Sequence, residues 1–432
     1  TGVPPTASRR ASDPVTGFAR SDGVLMVDGL PLTTVAEHFG TPTYVYSAAR
    51  VRSRYAAFTG AFAGQAHRLC YAVKANSNLG LLRVLAELGA GFDIVSGGEL
   101  ERVLRAGGRP AQVVFSGVGK SAAEIDRALE VGIGCFNVES EMELDRIEAL
   151  ARARGLRAPV SVRVNPDVDA ETHPYISTGL KENKFGVPAA AVPGLYRRIE
   201  NSDALRALGI DCHIGSQLTR IEPFLDALDR VLELVDALAA DGIALEHLDL
   251  GGGLGVRYRD ETPPDLQAYA DGLRQRLAGR GLELLFEPGR WLVGDAGVLL
   301  VRVEYAKENE GRRFLVVDGA MNDLLRPALY EAWHDIEPVV EAPGAPEAVV
   351  DVVGPVCESA DFLGKQRSLR AGPGDLLAVR SAGAYGFGMS SNYNSRGRAA
   401  EVLVDGGAAR LVRRRETIED QLACELAPET AS

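Results

Sequence analysis

The sequence has 432 residues, of which 46% are hydrophobic and 25% charged, a globular composition with enough length for two domains. The formal net charge of -12, with acids and bases mixed along the chain, argues against nucleic acid or an anionic membrane as a partner. No apolar run approaches the roughly 20 residues that span a bilayer, and five cysteines without C-x-x-C spacing predict neither a disulfide framework nor a zinc site.

The chain opens with a segment that has no helical or strand pattern. Residues 1–20 are rich in Pro, Ser, Thr and Arg, so they predict a flexible tail, and they lack the apolar region of a signal peptide. Together with the cysteine usage, this favours a cytoplasmic protein. Residues 21–45, which include "GVLMVDGLPLTTVAEHFGTPTYV", have strand character, and we expect them to pack with a β-rich domain formed by the C-terminal part.

A regular alternation of strands and helices follows over residues 46–290. Segments with apolar residues at helical spacing separate eight short runs rich in β-branched or apolar residues. The runs are "RLCYAVKA" (68–75), "GFDIVSG" (91–97), "QVVFSG" (112–117), "GIGCFNV" (132–138), "VSVRVNP" (160–166), "GIDCHIG" (209–215), "HLDLGGG" (247–253) and "LELLFEPG" (282–289). Eight such units predict a closed (β/α)8 TIM barrel, with a doubly wound open sheet as the alternative.

The polar residues of these runs lie at the C-terminal ends of the strands. They are Lys74, Ser96, Ser116, Asn137, Asn165, His213, the glycines 251–253 and Glu287. In a barrel the C-terminal ends meet at one rim, where active sites are built. Beyond it, residues 291–432 consist mainly of strand and turn patterns such as "VLLVRVEYAKENEGRRFLVVDGA", which predict the β-rich second domain.

Lys74 follows an apolar run, and its position raises the question of imine chemistry. A solvated lysine just beyond a strand is the simpler interpretation. A lysine against apolar walls, however, loses proton affinity and becomes a nucleophile toward carbonyls. If pyridoxal phosphate is the carbonyl compound, the chain should also contain groups that bind its phosphate and its ring.

Three further segments provide such groups. The glycines of "LDLGGGLG" allow backbone N–H groups to approach a phosphate, although a tight turn also explains them. Glu287 can pair with the pyridine nitrogen and keep it protonated, and the alternative is a surface ion pair with Arg290. His213 can stack on the cofactor ring or be structural, and Ser216 can donate a hydrogen bond to the phosphate.

With these residues assembled, the sequence resembles the diaminopimelate decarboxylases, which belong to the alanine-racemase-like group of pyridoxal phosphate enzymes. The resemblance runs from Phe39 to Gly407 and rests on seven motifs in family order. They are "YAVKAN", "GFDIVSGGEL", "HPYISTGLKENKFG", "HIGSQL", "GGGLG", "EPGR" and "CES". It implies decarboxylation of meso-diaminopimelate to L-lysine and CO2 in lysine biosynthesis, with pyridoxal 5'-phosphate as cofactor.

The resemblance also implies roles for individual residues. Lys74 would bind the cofactor covalently, with His213 against its ring. The other cofactor contacts would come from Gly252, Gly253, Glu287, Pro288, Gly289, Arg290 and Tyr385. Substrate would be bound by Arg290, Arg326, Tyr330, Glu358 and Tyr385. Cys357 would be the proton donor and, like Glu358, would act in the site of a partner subunit, so the resemblance implies a homodimer.

Residue chemistry agrees with this substrate. Diaminopimelate carries an amino-acid group at each end, and the end that does not react needs cations for its carboxylate and an anion for its ammonium. Arg290 and Arg326 suit the carboxylate in bidentate geometry, and Glu358 suits the ammonium. A decarboxylase for ornithine or arginine, the nearest alternative, has no distal carboxylate to bind.

A racemase, a cofactor carrier and a cofactor-free aldolase each fit fewer of these residues. A racemase of this fold typically has an arginine at the pyridine nitrogen, where this chain has Glu287. A non-catalytic barrel that carries pyridoxal phosphate lacks the second domain, which here holds Cys357, Glu358 and Tyr385. An aldolase-type barrel without cofactor explains neither Glu287 nor the glycine loop.

Overall fold

The computed structural model describes residues 17–168 and 184–425, and their contacts group them into two units. The barrel unit comprises Arg54–Gly294 and Gly383–Gly388, and the β unit comprises the described residues up to Ser53, Asp295–Ala382 and those from Met389 onward. The first boundary thus falls at Ser53 rather than at the predicted residue 45. Ion pairs explain the difference, because Arg50 contacts Asp295 at 2.6 Å and Arg52 contacts Asp405 at 2.7 Å, all within the β unit.

The first elements of the chain are a three-stranded antiparallel ribbon, a helix, a strand and a second helix. They are β1 (Phe18–Ser21), β2 (Val24–Val27), β3 (Leu30–Pro31), α1 (Leu32–Phe39), β4 (Thr43–Ser47) and α2 (Ala48–Ala61). The prediction of a flexible tail over residues 1–20 is therefore wrong for its last three residues, since β1 begins at Phe18. Burial of the Phe18 ring with Leu25 and Val27 gives this strand its stability. Residues 1–16 lie outside the described part.

Next come the strands of the barrel unit. They are β5 (His67–Ala72), β6 (Gly91–Ile94), β7 (Val113–Phe115), β8 (Cys135–Val138), β9 (Ala158–Asn165), β10 (Val187–Pro188), β11 (Leu205–Asp211), β12 (His247–Asp249) and β13 (Glu283–Phe286). Parallel pairing runs from β5 through β9, then through β11 to β13, and β13 pairs with β5. The predicted closed eight-stranded barrel is confirmed, with short β10 added beside β9.

Helices follow the barrel strands. They are α3 (Leu79–Glu87), α4 (Gly97–Ala106), α5 (Ala122–Val131), α6 (Glu141–Ala153), α7 (Val192–Glu200), α8 (Glu222–Ala240), α9 (Leu266–Leu277) and α10 (Arg290–Val293). Several begin at a polar cap: Ser96, Ser121 and Ser140 each accept a hydrogen bond from the backbone N–H three residues ahead. Ser96, one of the polar residues predicted at the rim, therefore serves as a helix cap.

The β unit is completed by the C-terminal part. Its elements are β14 (Gly297–Asn309), β15 (Arg312–Val317), α11 (Arg326–Tyr330), β16 (Ile336–Pro338), β17 (Ala348–Val353), β18 (Phe362–Leu369), β19 (Leu376–Val379), β20 (Ala400–Asp405), β21 (Ala408–Arg413) and α12 (Ile418–Leu422). The main sheet has the order β18-β17-β15-β14-β4-β20-β21, and β19 pairs with β14 and β16. The N-terminal strand β4 is thus central in this sheet.

One apolar core holds the β unit together. It combines residues of the first elements, such as Phe18, Val35 and Val45, with Leu300 and Val402 of the C-terminal strands. Burial of these side chains is the main force that joins chain segments so far apart in sequence. In the described ranges, no helix combines the length and the apolar character that a membrane crossing requires.

Candidate active site

A pocket lies at the C-terminal ends of several barrel strands. It is lined by Ala72, Lys74, His213, Ser216, Gly252, Gly253, Leu254, Glu287, Gly289, Arg290 and Tyr385. These residues follow β5, β11, β12 and β13, except for Tyr385, which lies in the short segment that joins the barrel unit from the C-terminal part. The structure therefore brings together most of the residues that the sequence indicated for the cofactor.

Lys74 lies just beyond β5, in a single 3₁₀ turn over Val73–Ala75. Its Nζ donates a hydrogen bond to Oδ2 of Asp93 at 2.7 Å, and 38% of its side chain is exposed, so a cofactor can reach it. Burial opposes the charge of the amine, but Asp93 and Glu287 more than offset this and raise its pKa. The expectation of an amine with reduced proton affinity is therefore wrong, because two carboxylates face it.

Glu287 directly follows β13 and is only 6% exposed, which excludes the alternative of a surface ion pair. Its backbone N–H donates to the carbonyl of Gly251 at 2.7 Å, and this bond fixes the position of the residue. Its Oε1 accepts from Ser116 Oγ at 3.3 Å and from Asn137 Nδ2 at 3.4 Å. Burial and neighbouring carboxylates, above all Asp249, raise the pKa of Glu287.

His213 lies two residues beyond β11. Its Nδ1 accepts a hydrogen bond from the backbone N–H of Gly252 at 3.2 Å. Burial and the positive charges of Arg163 and Lys74 lower the pKa of the imidazole, so the ring is neutral at physiological pH. A neutral, oriented ring is suited to contact with the face of an aromatic cofactor.

The loop after β12 requires glycine at consecutive positions. A Cβ atom at Gly252 would lie 2.3 Å from the carbonyl oxygen of Glu287, and one at Gly253 would lie 2.7 Å from that of Gly215. Gly253 also has a φ of 119°, which disfavours other residues. The glycines therefore allow close packing of the loops and leave their side of the pocket open for a ligand.

Arg290 begins α10 and connects several residues of the pocket. Its Nη1 donates to the hydroxyl of Tyr258 at 2.6 Å, and its Nη2 donates to Ser216 Oγ at 3.2 Å. The guanidinium lies 4.7 Å from the ring centre of Tyr385. Tyr385 is in turn held by its backbone N–H, which donates to the carbonyl of Ala75 at 2.8 Å.

The two remaining residues of "EPGR" hold their loop against β5 and the turn that follows it. The carbonyl of Pro288 accepts a hydrogen bond from the backbone N–H of Ala72 at 3.4 Å. A Cβ atom at Gly289 would lie 2.8 Å from the Cβ of Ala75, so this position also requires glycine. Pro288 and Gly289 thus fix the distance between the loops that carry Glu287 and Lys74.

The other predicted site residues belong to the β unit. Arg326 is buried at the start of α11, and its Nη1 lies 2.8 Å from Nε2 of His334, while Tyr330 at the end of α11 is half-buried. Cys357 is exposed, and its backbone N–H donates to Asn394 Oδ1 at 2.8 Å. The exposed Glu358 accepts a hydrogen bond from Tyr393 at 3.3 Å.

Sequence reasoning missed the buried acids near the pocket. Asp93, Asp211 and Asp249 are each at most 1% exposed, and all three lie within barrel strands. Their only signal is an aspartate inside an apolar strand, as in "GFDIV", "GIDC" and "LDLG". The motif "HPYISTGLKENKFG" lies outside the described residues except for its last three positions.

The chemistry of the pocket fits pyridoxal phosphate. It combines a lysine amine, a buried carboxylate, a neutral imidazole and backbone N–H groups at glycines that close approach requires. The amine suits the aldehyde, the carboxylate suits the ring nitrogen, and the glycine loop suits the phosphate.

Comparisons with known proteins agree with this fit. Residues 48–294 match the family of pyridoxal-dependent decarboxylases, in its pyridoxal binding domain. The chain is 62% identical to a diaminopimelate decarboxylase of Pseudomonas aeruginosa over 94% of its length and 98% of the relative. It is 57% identical to one of Neisseria meningitidis over 93% of this chain and 99% of that one.

Solved structures give the same result. Diaminopimelate decarboxylase from Helicobacter pylori, complexed with L-lysine, has a TM-score of 0.88 at 43% identity, covering 91% of this chain and 99% of its own. The enzyme from M. jannaschii, also in complex with L-lysine, has a TM-score of 0.90 at 38% identity, covering 95% of this chain and 98% of its own.

Proposed function

This chain belongs to the diaminopimelate decarboxylases, a family of pyridoxal-dependent decarboxylases, and we propose that it converts meso-2,6-diaminopimelate into L-lysine and CO2. The proposal rests chiefly on one observation: Lys74 and the buried Glu287 line the same pocket at the rim of the barrel. This reaction would be the last step of lysine biosynthesis.

Residues of the pocket would hold the cofactor in a fixed orientation. When bound, pyridoxal phosphate supplies the electron sink that accepts the electron pair left behind by CO2. Lys74 would bind it covalently, and Glu287 would hold a proton at the ring nitrogen. His213 would contact the ring, while Ser216, Gly252, Gly253 and Tyr385 would bind the phosphate.

Two arginines and a glutamate would select the substrate. Arg290 and Arg326 bind the carboxylate at the end that does not react, and Glu358 binds its ammonium group, with Tyr330 and Tyr385 as further contacts. Burial of Arg326 supports this role, since a charged pair is strongest away from solvent. A decarboxylase of ornithine or arginine would have no use for a buried arginine that binds a distal carboxylate.

Cys357 would return the proton after CO2 leaves. A thiol can donate a proton to a carbanion from the face opposite the lysine amine. Cys357 and Glu358 are exposed in the single chain, which supports their action in the site of a partner subunit. We therefore propose that the enzyme works as a homodimer with shared sites.

We also propose that the enzyme works in the cytoplasm. All five cysteines are unpaired, which suits a reducing compartment. Separation of cytoplasmic and membrane fractions, followed by the decarboxylase assay, would test this.

The function itself is tested by incubating the purified protein with meso-diaminopimelate and measuring L-lysine and CO2. Ornithine and arginine serve as control substrates in the same assay. We expect turnover of meso-diaminopimelate alone. Release of putrescine or agmatine would assign the basic amino-acid alternative, and recovery of an epimerised substrate without CO2 would assign a racemase. A protein that binds pyridoxal phosphate without turning over any of the three would be a carrier.

A further inference from the structure

Three carboxyl groups meet at the pocket, which one of them lines. Asp211 ends β11, Asp249 ends β12 and Glu287 follows β13, so three neighbouring parallel strands deliver them to one place. One oxygen of each lies within 4.8 Å of the others. All three are buried, with exposures of 1%, 0% and 6% respectively. We call this set the acid cluster.

Only some of the carboxylate oxygens in the acid cluster accept hydrogen bonds. Asp249 Oδ1 accepts from the backbone N–H of Gly251 at 2.9 Å, and Glu287 Oε1 accepts from Ser116 and Asn137. Asp211 Oδ1 and Asp249 Oδ2 are buried and have no hydrogen-bond partner among the residues that the structure describes. A buried carboxylate oxygen without a donor is costly, and a proton on a neighbouring acid provides that donor.

Among the described residues, the cations that are paired with these acids and their neighbours are too few to neutralise them. Lys74 is paired with Asp93 at 2.7 Å. Arg163 is paired with Glu139 at 3.2 Å and lies 3.7 Å from Asp211. These two cations face five carboxyl groups, namely Asp93, Glu139, Asp211, Asp249 and Glu287. Full ionisation would bury a net negative charge of three, and proteins avoid this by protonating such groups.

We propose that Asp211, Asp249 and Glu287 share a proton in the cofactor-free protein and pass it to the ring nitrogen of pyridoxal phosphate when the cofactor binds. In this transfer the O–H bond of Glu287 breaks, the lone pair of the ring nitrogen forms the new N–H bond, and Glu287 remains as a carboxylate. Asp211 and Asp249 do not contact the cofactor themselves. They act as positioning residues that hold the shared proton close to Glu287. The inference rests on the proposed function, in which Glu287 faces the ring nitrogen.

Proton affinities within the acid cluster support the direction of this transfer. Burial and mutual repulsion raise the pKa of Asp211 and of Glu287 well above the usual range, and that of Asp249 to about 6. The hydrogen bond from Gly251 lowers the pKa of Asp249 and so opposes part of this effect. Asp249 lies on β12, between the strands that carry Asp211 and Glu287, where a protonated neighbour can donate a hydrogen bond to it.

Infrared difference spectroscopy tests the proposal, because a protonated carboxylic acid has a C=O stretch separate from that of a carboxylate. At neutral pH we expect this band in the cofactor-free wild type. It should disappear when pyridoxal phosphate binds. It should persist when an analogue with CH in place of the ring nitrogen binds, because that analogue cannot accept the proton. Asp249→Asn and Asp211→Asn should each shift or remove the band in the cofactor-free protein.

Asp351→Asn is the matched control, since Asp351 is a buried aspartate of the β unit whose charge is paired with Arg312 at 2.5 Å. It should leave the band unchanged. Three results would overturn the proposal: no band in the wild type, loss of the band with both ligands, or a stoichiometric metal ion whose binding Asp249→Asn abolishes. The infrared measurement does not depend on turnover. If the protein failed to decarboxylate diaminopimelate, the infrared bands would still show whether the acid cluster shares a proton.

Discussion

Lys74, the residue proposed to bind the cofactor, forms an ion pair in this structure. Its ammonium group lies 2.7 Å from Asp93, so the amine has to give up a proton before it can attack an aldehyde. Oδ2 of Asp93 accepts this bond, and its buried Oδ1 has no hydrogen-bond partner within the described residues. The contact that raises the pKa of the amine therefore opposes its reaction as a free amine.

Replacing this lysine should abolish covalent cofactor binding. We expect Lys74→Ala to lack the visible absorption band of the lysine-bound cofactor and to show no cofactor attached after borohydride reduction, because no other amine would bind it. Mass spectrometry of the reduced protein provides the measurement. Lys307→Ala, at an exposed position of β14, is the control and should behave like the wild type. A reduced adduct in Lys74→Ala would refute the assignment.

Arg326→Leu should impair turnover of meso-diaminopimelate while cofactor content stays normal. Removing a buried partner of the substrate carboxylate should cost on the order of 2–5 kcal/mol in kcat/KM. Steady-state kinetics and the cofactor absorption spectrum are the measurements. His334→Gln tests whether the contact at 2.8 Å matters, and it should give a smaller loss. A variant that lost its cofactor instead would identify Arg326 as a cofactor ligand.

Which site residues the sequence could predict depended on where they lie along the chain. Lys74, His213 and Glu287 follow strands, so chain position alone placed them at the rim. Asp93 lies inside its strand, whereas Asp211 and Asp249 are the last residues of theirs but fall within the apolar runs of the sequence. Only the three-dimensional structure shows which groups these side chains face. The raised pKa of Lys74 was unpredictable for the same reason, because its partner Asp93 is 19 residues away.

At the scale of elements, strand β12 carries two buried groups whose contributions to the stability of the fold change with pH in opposite directions. Burial lowers the pKa of His247 to about 4, whereas burial and nearby acids raise that of Asp249 to about 6. The unfolded chain binds a proton at His247 near pH 6.5, but the folded chain does so only near pH 4, so His247 causes stability to fall as pH drops through this range. Asp249 has the opposite effect between about pH 4 and 6.

A single substitution separates the contribution of His247 to the pH dependence of stability from that of Asp249. Between pH 7 and pH 5, His247→Gln should lose less stability than the wild type, by on the order of 2 kcal/mol, because glutamine does not titrate. Urea denaturation midpoints at both pH values provide the measurement. His38→Gln, at an exposed histidine of α1, should show the wild-type dependence. Equal pH dependence of His247→Gln and wild type would contradict a buried neutral imidazole.

The glycine loop after β12 makes a second prediction at this scale. Gly252→Ala should weaken binding of pyridoxal phosphate by at least about tenfold, because its Cβ would have to displace the backbone of Glu287. Fluorescence titration of the cofactor-free protein measures this. Gly194→Ala in α7, where nothing lies within 4 Å of the added Cβ, should bind normally and be as stable or more stable. Normal affinity in Gly252→Ala would show that the loop can move freely.

For the whole molecule, the sharing of sites between subunits can be tested by complementation. Inactive Lys74→Ala and inactive Cys357→Ala chains, mixed and allowed to exchange, should recover up to about a quarter of wild-type activity, because half of the dimers are mixed and each has one intact site. Mixing Lys74→Ala with Glu287→Gln is the control, because both residues line one pocket of one chain and no mixed dimer has an intact site. No recovery after confirmed exchange would exclude shared sites.

The architecture of the fold could be predicted from the sequence, but some of its boundaries could not. Eight strand-helix repeats were sufficient for the barrel, since each repeat shows its own apolar pattern. The start of β1 and the boundary at Ser53 were not predictable, because they depend on Phe18 entering a distant core and on the ion pairs of Arg50 and Arg52. Long-range partners of this kind leave no local pattern.

The central position of β4 has a consequence for synthesis of the chain. Its neighbours in the sheet are β14, which starts at Gly297, and β20, which ends at Asp405. On the ribosome, residues 43–47 therefore emerge long before either neighbour exists, whereas all barrel strands are made by Phe286. The β unit can close only after the strand that ends at Asp405 has been made, and until then the edges of β4 lack their partners. A circular permutant that begins at Asp295 would remove this delay.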